Sequence, residues 1–475
     1  MSKGGFTMAY FHGVKASEIA TSVIATVQTT AGLPVVFGTA PVHLTKNPSK
    51  YVNKPVICYS WDEAVQAIGY HHNWDKYTLS EAMYTEFKLY AVNPIVFVNV
   101  LDPKKHKSTK SAQTYEVTAN KEAIIQEAVL KDTLVVEGGA LNTDYTAAFT
   151  DDGELVIGII KGGALDAAQN IKASFSFVDT SLVREDDIIN SFEELDKIYG
   201  RFGMVPGIVA APGYSEKPTV AAVMQAKALN IDNLFRCIVL ADVDTAKVTS
   251  YQDVNEWKNK NGYTGNNEVV CFPCVRSGDM LFHMSTHIMG IIGVMDQANT
   301  DVPYESPSNK DMHITGMCLK TGEEVNLTHS QANLLNSQGI MTGLNFIGGW
   351  KSWGNYTGAF PGKSDVKDTF ICVRRMFDWQ YQTFILNYWQ KVDQPLMPRL
   401  VRTIVDSEQI RLNGLVSRGF LLGASVLFLE EENPTTDLLA GIIRIHTKIT
   451  PPVPAQDIED IIEYDVNNFT ALFDN

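Results

Sequence analysis

Pro94-Ile95-Val96-Phe97-Val98-Asn99-Val100 follows a helical pattern over 79–90 and is apolar on both faces of any strand it forms. A strand of that kind needs cover on both sides, which a parallel or mixed sheet between helices provides. The same order appears outward from it. Upstream, 33–38 reads as a strand, and Ser60-Trp61-Asp62-Glu63 opens a helix to Ile68 in which Ser60 caps and Glu63 is the N3 carboxylate. Downstream of Met204 the order is strand 207–210, helix 219–229, strand 236–240, helix 250–258, strand 268–272 and helix 279–295, with short connections. The fold class is therefore mixed α/β, α+β in places, and multidomain, with a central α/β core.

That order pauses between 102 and 190. Segments 111–118, 133–137, 145–150, 154–160 and 173–178 are β-rich or alternate, and Asp151-Asp152-Gly153 is a hairpin turn, so a β-rich domain is inserted into the core. Further on, 326–338 and 339–349 lead through a Trp- and Gly-rich link to two amphipathic helices over 370–420. In the first, Phe377, Tyr381, Phe384 and Tyr388 fall at i, i+4, i+7 and i+11, an aromatic stripe assigned to the core. The second runs from about 396 to 418 and is closed by Gly419. A strand over 424–428, an alternating strand over 441–450, a hinge at Pro451, Pro452 and Pro454, and a strand-like tail complete the chain.

At 475 residues the chain exceeds one ordinary core. A net charge of -15 opposes bulk binding to nucleic acid or acidic membranes. The oiliest runs, 288–295 and 419–429, are about half the ~20 residues that span a bilayer, and no signal peptide is visible. Six scattered cysteines suit a reducing cytosol. Against the overall charge, 370–420 carries Arg374, Arg375, Lys391, Arg399, Arg402, Arg411 and Arg418 with only Asp378, Asp393, Asp406 and Glu408 to balance them. A local basic surplus on an acidic protein needs an explanation.

The candidate chemistry is thin. Gly358-Ala359-Phe360-Pro361-Gly362-Lys363-Ser364 has three residues between glycines where a phosphate loop has four, and no buried strand precedes it. Cys271 and Cys274 with His283 and His287 have zinc-ligand residue types, but the gap between pairs is shorter than a finger's, and no oxyanion loop stands beside them for nucleophilic catalysis. A structural role without enzyme activity, cofactor or metal is the reading these residues favour.

The chain resembles the contractile tail sheath proteins of myophages and R-type bacteriocins. The resemblance rests on Ser352-Trp353-Gly354-Asn355-Tyr356-Thr357, on Phe370-Ile371-Cys372-Val373-Arg374-Arg375-Met376-Phe377-Asp378-Trp379, on Phe384-Ile385-Leu386-Asn387-Tyr388-Trp389-Gln390-Lys391-Val392-Asp393, on 442–452 and on Tyr10-Phe11-His12-Gly13-Val14. It implies six-membered rings stacked helically around an inner tail tube protein, ended by baseplate and tail terminator proteins, in a particle assembled in a bacterial cytoplasm and released by lysis. It implies 1–20 and 455–475 as linking arms, 21–102 and 193–347 as the core, 103–192 as an outward-facing insertion and 348–454 as a tube-facing domain. The seven basic residues are then tube-facing candidates and the three prolines hinge candidates. No nucleic acid and no membrane insertion are expected. A static tube or shell protein, and a cytoplasmic zinc- or cysteine-dependent hydrolase, remain alternatives.

Overall fold

The structure is a computed structural model that describes residues 31–466 and residue 469. The expected N-terminal arm, 1–20, and the last residues of the C-terminal one lie outside the described residues.

An eight-stranded sheet organises the core. Its order across the sheet is Trp350–Trp353, Ile340–Asn345, Glu268–Cys271, Ile238–Asp242, Ile208–Ala210, Pro34–Gly38, Ile95–Asn99 and Val56–Cys58. The six central strands pair in parallel, and the two outermost are antiparallel. Alternate residues of one strand enter different clusters, as the two-residue period of a strand requires. Val36, Phe97, Ala210, Leu240 and Cys271 pack on one face with helix Met284–Ala298. Val35, Phe37, Val98, Val209, Val239 and Val270 pack on the other against Phe192, Val220 and Met224. The Trp350–Trp353 edge is covered by a passing segment, with Ser352 N donating to Lys310 O at 2.9 Å and Met312 N to Trp350 O at 3.0 Å.

Local signals placed several elements well. Helix Trp61–Ile68 is capped by Ser60, which accepts from Glu63 N at 3.3 Å, while the Glu63 carboxylate accepts from Tyr59 N at 2.8 Å. Other expectations need correction. The helix drawn from 279 starts at Met284, because Cys274–Ser277 turns through Gly278 (φ 61°) into strand Met280–Phe282. The helix over 79–90 ends as α at Tyr84 and continues as a π turn, Thr85–Leu89.

Between the core strands, 107–178 forms two three-stranded sheets around their own cluster of Ala123, Ile125, Leu155, Ile157, Ala173 and Phe175. One of these strands, Glu122–Ile125, was not read from the sequence. The segment joins the core through a small cluster of Tyr77, Leu101 and Val178.

The two late helices are Ile371–Tyr388 and Pro398–Ser417, and Gly419 adopts φ 79° just past the second. Of their aromatic stripe only Tyr388 is buried. Tyr381 is 41% exposed and Phe377 and Phe384 are half-buried, whereas Cys372, Val373, Met376 and Trp379 are buried. Hairpin Gly423–Leu427 with His446–Thr450 packs on the second helix. The first residues of the 441–450 strand are instead coil after a short helix, Thr435–Leu439. Residues 451–465 form no strand.

Candidate interaction surface

Of the seven basic residues in the two late helices, three are consumed inside the fold. Arg374 is 7% exposed and donates to Asp378 at 2.8 Å and to Asp368 at 3.1 Å. Arg375, 4% exposed, holds Asp296 with both terminal nitrogens and donates to Ala31 O at 3.0 Å. Arg411 clasps the fully buried Glu408 at 2.7 and 3.1 Å, and Tyr388 and Gln380 also donate to that carboxylate. A buried guanidinium cannot meet a partner, so these three are corrected from partner contacts to internal ties. Breaking such a tie strands a charge in the interior. Arg236 is a tie that sequence reading missed: it ion-pairs Asp378 at 3.0 Å and lies 4.2 Å from the Tyr381 ring centroid.

Arg418 is exposed, lies over the Phe420 ring at 4.8 Å and donates to Thr300 at 3.3 Å. Lys391, Arg399 and Arg402 form no ion pair among the described residues, and the two arginines are exposed. These three cations surround the link between the helices, where Trp389, Val392 and Met397 are 59%, 61% and 59% exposed. Beside them Leu396, Val401, Val405, Phe428 and Leu438 line an apolar groove of about 510 Å³. The groove is lined by Asp406 as well as Arg402, so exposed apolar side chains stand among charges of both signs with the cations in excess.

The hairpin offers a second kind of contact. Gln409 on the helix beneath accepts from Val426 N at 2.9 Å, so it covers the Gly423–Leu427 edge, while His446–Thr450 is the other edge strand of the pair. Pro451 is buried, Pro452 and Pro454 are half-buried, and Gln456 bonds Tyr356 at 2.7 Å and Asn355 at 3.2 Å. Past that tether residues 457–465 have no regular secondary structure, and Ile458, Ile461 and Ile462 are 83–86% exposed.

The thiol and imidazole set does not converge. His283 is bound to Glu81 at 2.8 Å, His287 meets the Tyr90 hydroxyl at 3.0 Å, and Cys274 contacts the Thr245 hydroxyl at 3.3 Å. Among the described residues no group of three or more His, Cys, Asp or Glu could hold a metal ion. In the 358–364 loop, Gly358 N donates to Glu268 O at 2.7 Å and Lys258 donates to Phe360 O at 3.0 Å, so the loop is tied to the core.

No family model matches the chain. In sequence it is 25% identical over 471 residues to the tail sheath protein of Burkholderia phage BcepMu, covering 94% of this chain and 95% of that protein. It is 25% identical over 285 residues to the major tail sheath protein of Serratia phage KSP20, covering 58% of this chain and 67% of the relative. In fold it is similar to the helical sheath of the anti-feeding prophage in its contracted state, with a TM-score of 0.60, 16% identity and coverage of 96% of this chain and 100% of that one. The contracted sheath of an extracellular contractile injection system aligns with a TM-score of 0.59 at 14% identity, covering 97% and 99%. Along nearly its whole length the chain is similar in sequence to a phage tail sheath protein, and its fold is that of contractile sheath subunits.

Proposed function

We propose that the protein polymerises as six-membered rings stacked helically around an inner tube, and that a one-way change of this lattice drives the tube through a target envelope. The whole-length relation to a phage tail sheath protein carries the reading. Residues 451–465, which form no strand, and the edge of a two-stranded hairpin support a means of linkage: the 455–475 arm of one copy adds a strand to His446–Thr450 of another. The incoming strand takes that edge because Gln409 occupies the opposite one. Backbone pairing of this kind survives rigid-body rotation when the chain bends at Pro451, Pro452 and Pro454.

In this arrangement 103–192 faces outward and 348–454 faces the tube, with Lys391, Arg399, Arg402 and Arg418 as its contact cations. Each exposed contact is worth about 1 kcal/mol or less, so many hold together yet each is released cheaply. The tube protein, baseplate and tail terminator are the partners, and assembly in the host cytoplasm with release by lysis follows. Catalysis has no place in this mechanism.

Deleting residues 456–475 tests the linkage. Sedimentation of the full chain is expected to give large polymers and the truncated chain a monomer of unchanged circular dichroism. A truncated chain that still polymerises would rule the arm out as the link.

A further inference from the structure

The crevice between the core and the 107–178 segment is a polar space of about 520 Å³ whose walls include His43, His71, Lys76 and Asp152. Two core histidines make the contact across it. His43 is 4% exposed and sits edge-on to the Phe149 ring of the inserted segment at 5.7 Å between centroids. His71 lies directly beneath the Asp151-Asp152-Gly153 turn: a Cβ at Gly153 would stand 2.6 Å from the His71 ring, and the imidazole bonds the Asp152 backbone.

Both rings are placed as neutral imidazoles. His71 Nδ1 accepts from Asn73 N at 2.9 Å, so a proton added there would oppose a donor that the backbone fixes in place. The other nitrogen of that ring is then the donor toward the Asp152 carbonyl. His43 Nδ1 is buried without a hydrogen-bond partner, between the Phe149 and Tyr77 rings. Burial, with His71 adding to it, lowers the His43 pKa to about 3. Burial, His72 and Lys76 lower that of His71, against a smaller opposing pull from Asp152. The remaining charges on the crevice wall are Glu127, Glu154 and Asp179, of which Glu127 is paired with Lys110 and Asp179 accepts from Ser108 and Ser181.

We propose that His43 and His71 form an acid-released latch, holding the inserted β-rich segment against the core while uncharged and letting it swing away when they take up protons. The two chain crossings at 100–106 and 179–185 stay tied by His106 and Lys105 to Asp187, so the segment pivots there. The sign follows from linkage. A group whose pKa is depressed when docked binds a proton more readily when undocked, so docking is favoured above about pH 6.5 and weakens as pH falls below it. For His43 alone, moving from about 3 docked to an ordinary 6.5 undocked, the ratio of docked to undocked protein drops about 30-fold between pH 7.5 and 5.0.

Amide hydrogen exchange of the full chain at pH 7.5 and 5.0, corrected for intrinsic exchange chemistry, reads this directly. The Asn73 amide, whose acceptor is His71 Nδ1, is expected to lose protection at pH 5.0, while amides bonded within the inserted segment, such as those of Leu130 and Gly153, keep theirs. His71→Gln preserves one acceptor for Asn73 and one donor for Asp152, and His43→Phe preserves the ring contact. Each is expected to reduce the acid response and the pair to abolish it. Gly153→Ala should open the crevice at pH 7.5 already, which checks the contact without altering a histidine. An unchanged crevice at pH 5.0, an equal response in the double variant, or parental protection in Gly153→Ala would each overturn the latch.

Discussion

At the scale of single residues, the basic surplus of the late helices separates into internal ties and free cations. Arg375 joins the first of the two late helices to Asp296, at the end of helix Met284–Ala298, and to Ala31 ahead of the first core strand. Replacing it by Ala leaves Asp296 buried without its counter-ion, and a loss of about 3–5 kcal/mol in chemical denaturation is expected. Glu81 and His283 form a comparable pair at 2.8 Å. Burial pulls the His283 pKa down, but the Glu81 carboxylate outweighs it and holds the imidazole up at about 9. Raised above its unfolded value, this group stabilises the fold fully below about pH 6.5, and the contribution fades as pH rises through 9. Denaturation midpoints measured from pH 6 to 10 should fall across that window, and His283→Gln should flatten the fall. None of these partnerships was legible in the sequence, because Arg375 and Asp296, or Glu81 and His283, lie far apart in the chain and only the fold brings them together.

At the scale of elements, the sequence carried more. Ser60 and Glu63 marked a helix start, Gly419 a helix end, and the doubly apolar 94–100 run a covered strand, since each depends on neighbours within a few residues. The aromatic stripe of Ile371–Tyr388 misled because the fold buries the polar residues Arg374, Arg375, Asp378 and Gln380 of this helix in ion pairs and hydrogen bonds, so its inner face is not its most aromatic one. The core selected Val373, Met376 and Trp379. Strand Glu122–Ile125 was hidden by its charged neighbours and is defined only by pairing with Leu155–Ile159. The free cations also belong here, on the link between two helices. Changing Lys391, Arg399 and Arg402 together to Glu should leave stability within about 0.5 kcal/mol per site, as exposed positions do. Binding to the inner tube protein should weaken by roughly fivefold per lost contact, and more at low salt than at high. Co-sedimentation at two salt concentrations measures it, and unchanged binding would remove this link from the tube interface.

At the scale of the whole molecule, the chain is built around a sheet whose Trp350–Trp353 edge is covered by the passing 310–312 segment, and the small hairpin presents an open edge strand. A covered sheet edge is protected from random pairing, while an uncovered edge strand such as His446–Thr450 is a template for another strand. The similarity to tail sheath proteins was readable from extended sequence runs, and the mixed α/β class from strand order. The direction in which each layer faces was not, because it depends on neighbours outside the chain. Cryo-electron microscopy of polymers formed by the full chain tests the central claim most directly. The account predicts hollow helical tubes of six-membered rings, with 370–420 lining the lumen, 103–192 on the outside, and a strand from a neighbouring copy beside His446–Thr450. Persistently monomeric protein across salt and pH, or a lattice with these two layers reversed, would contradict it.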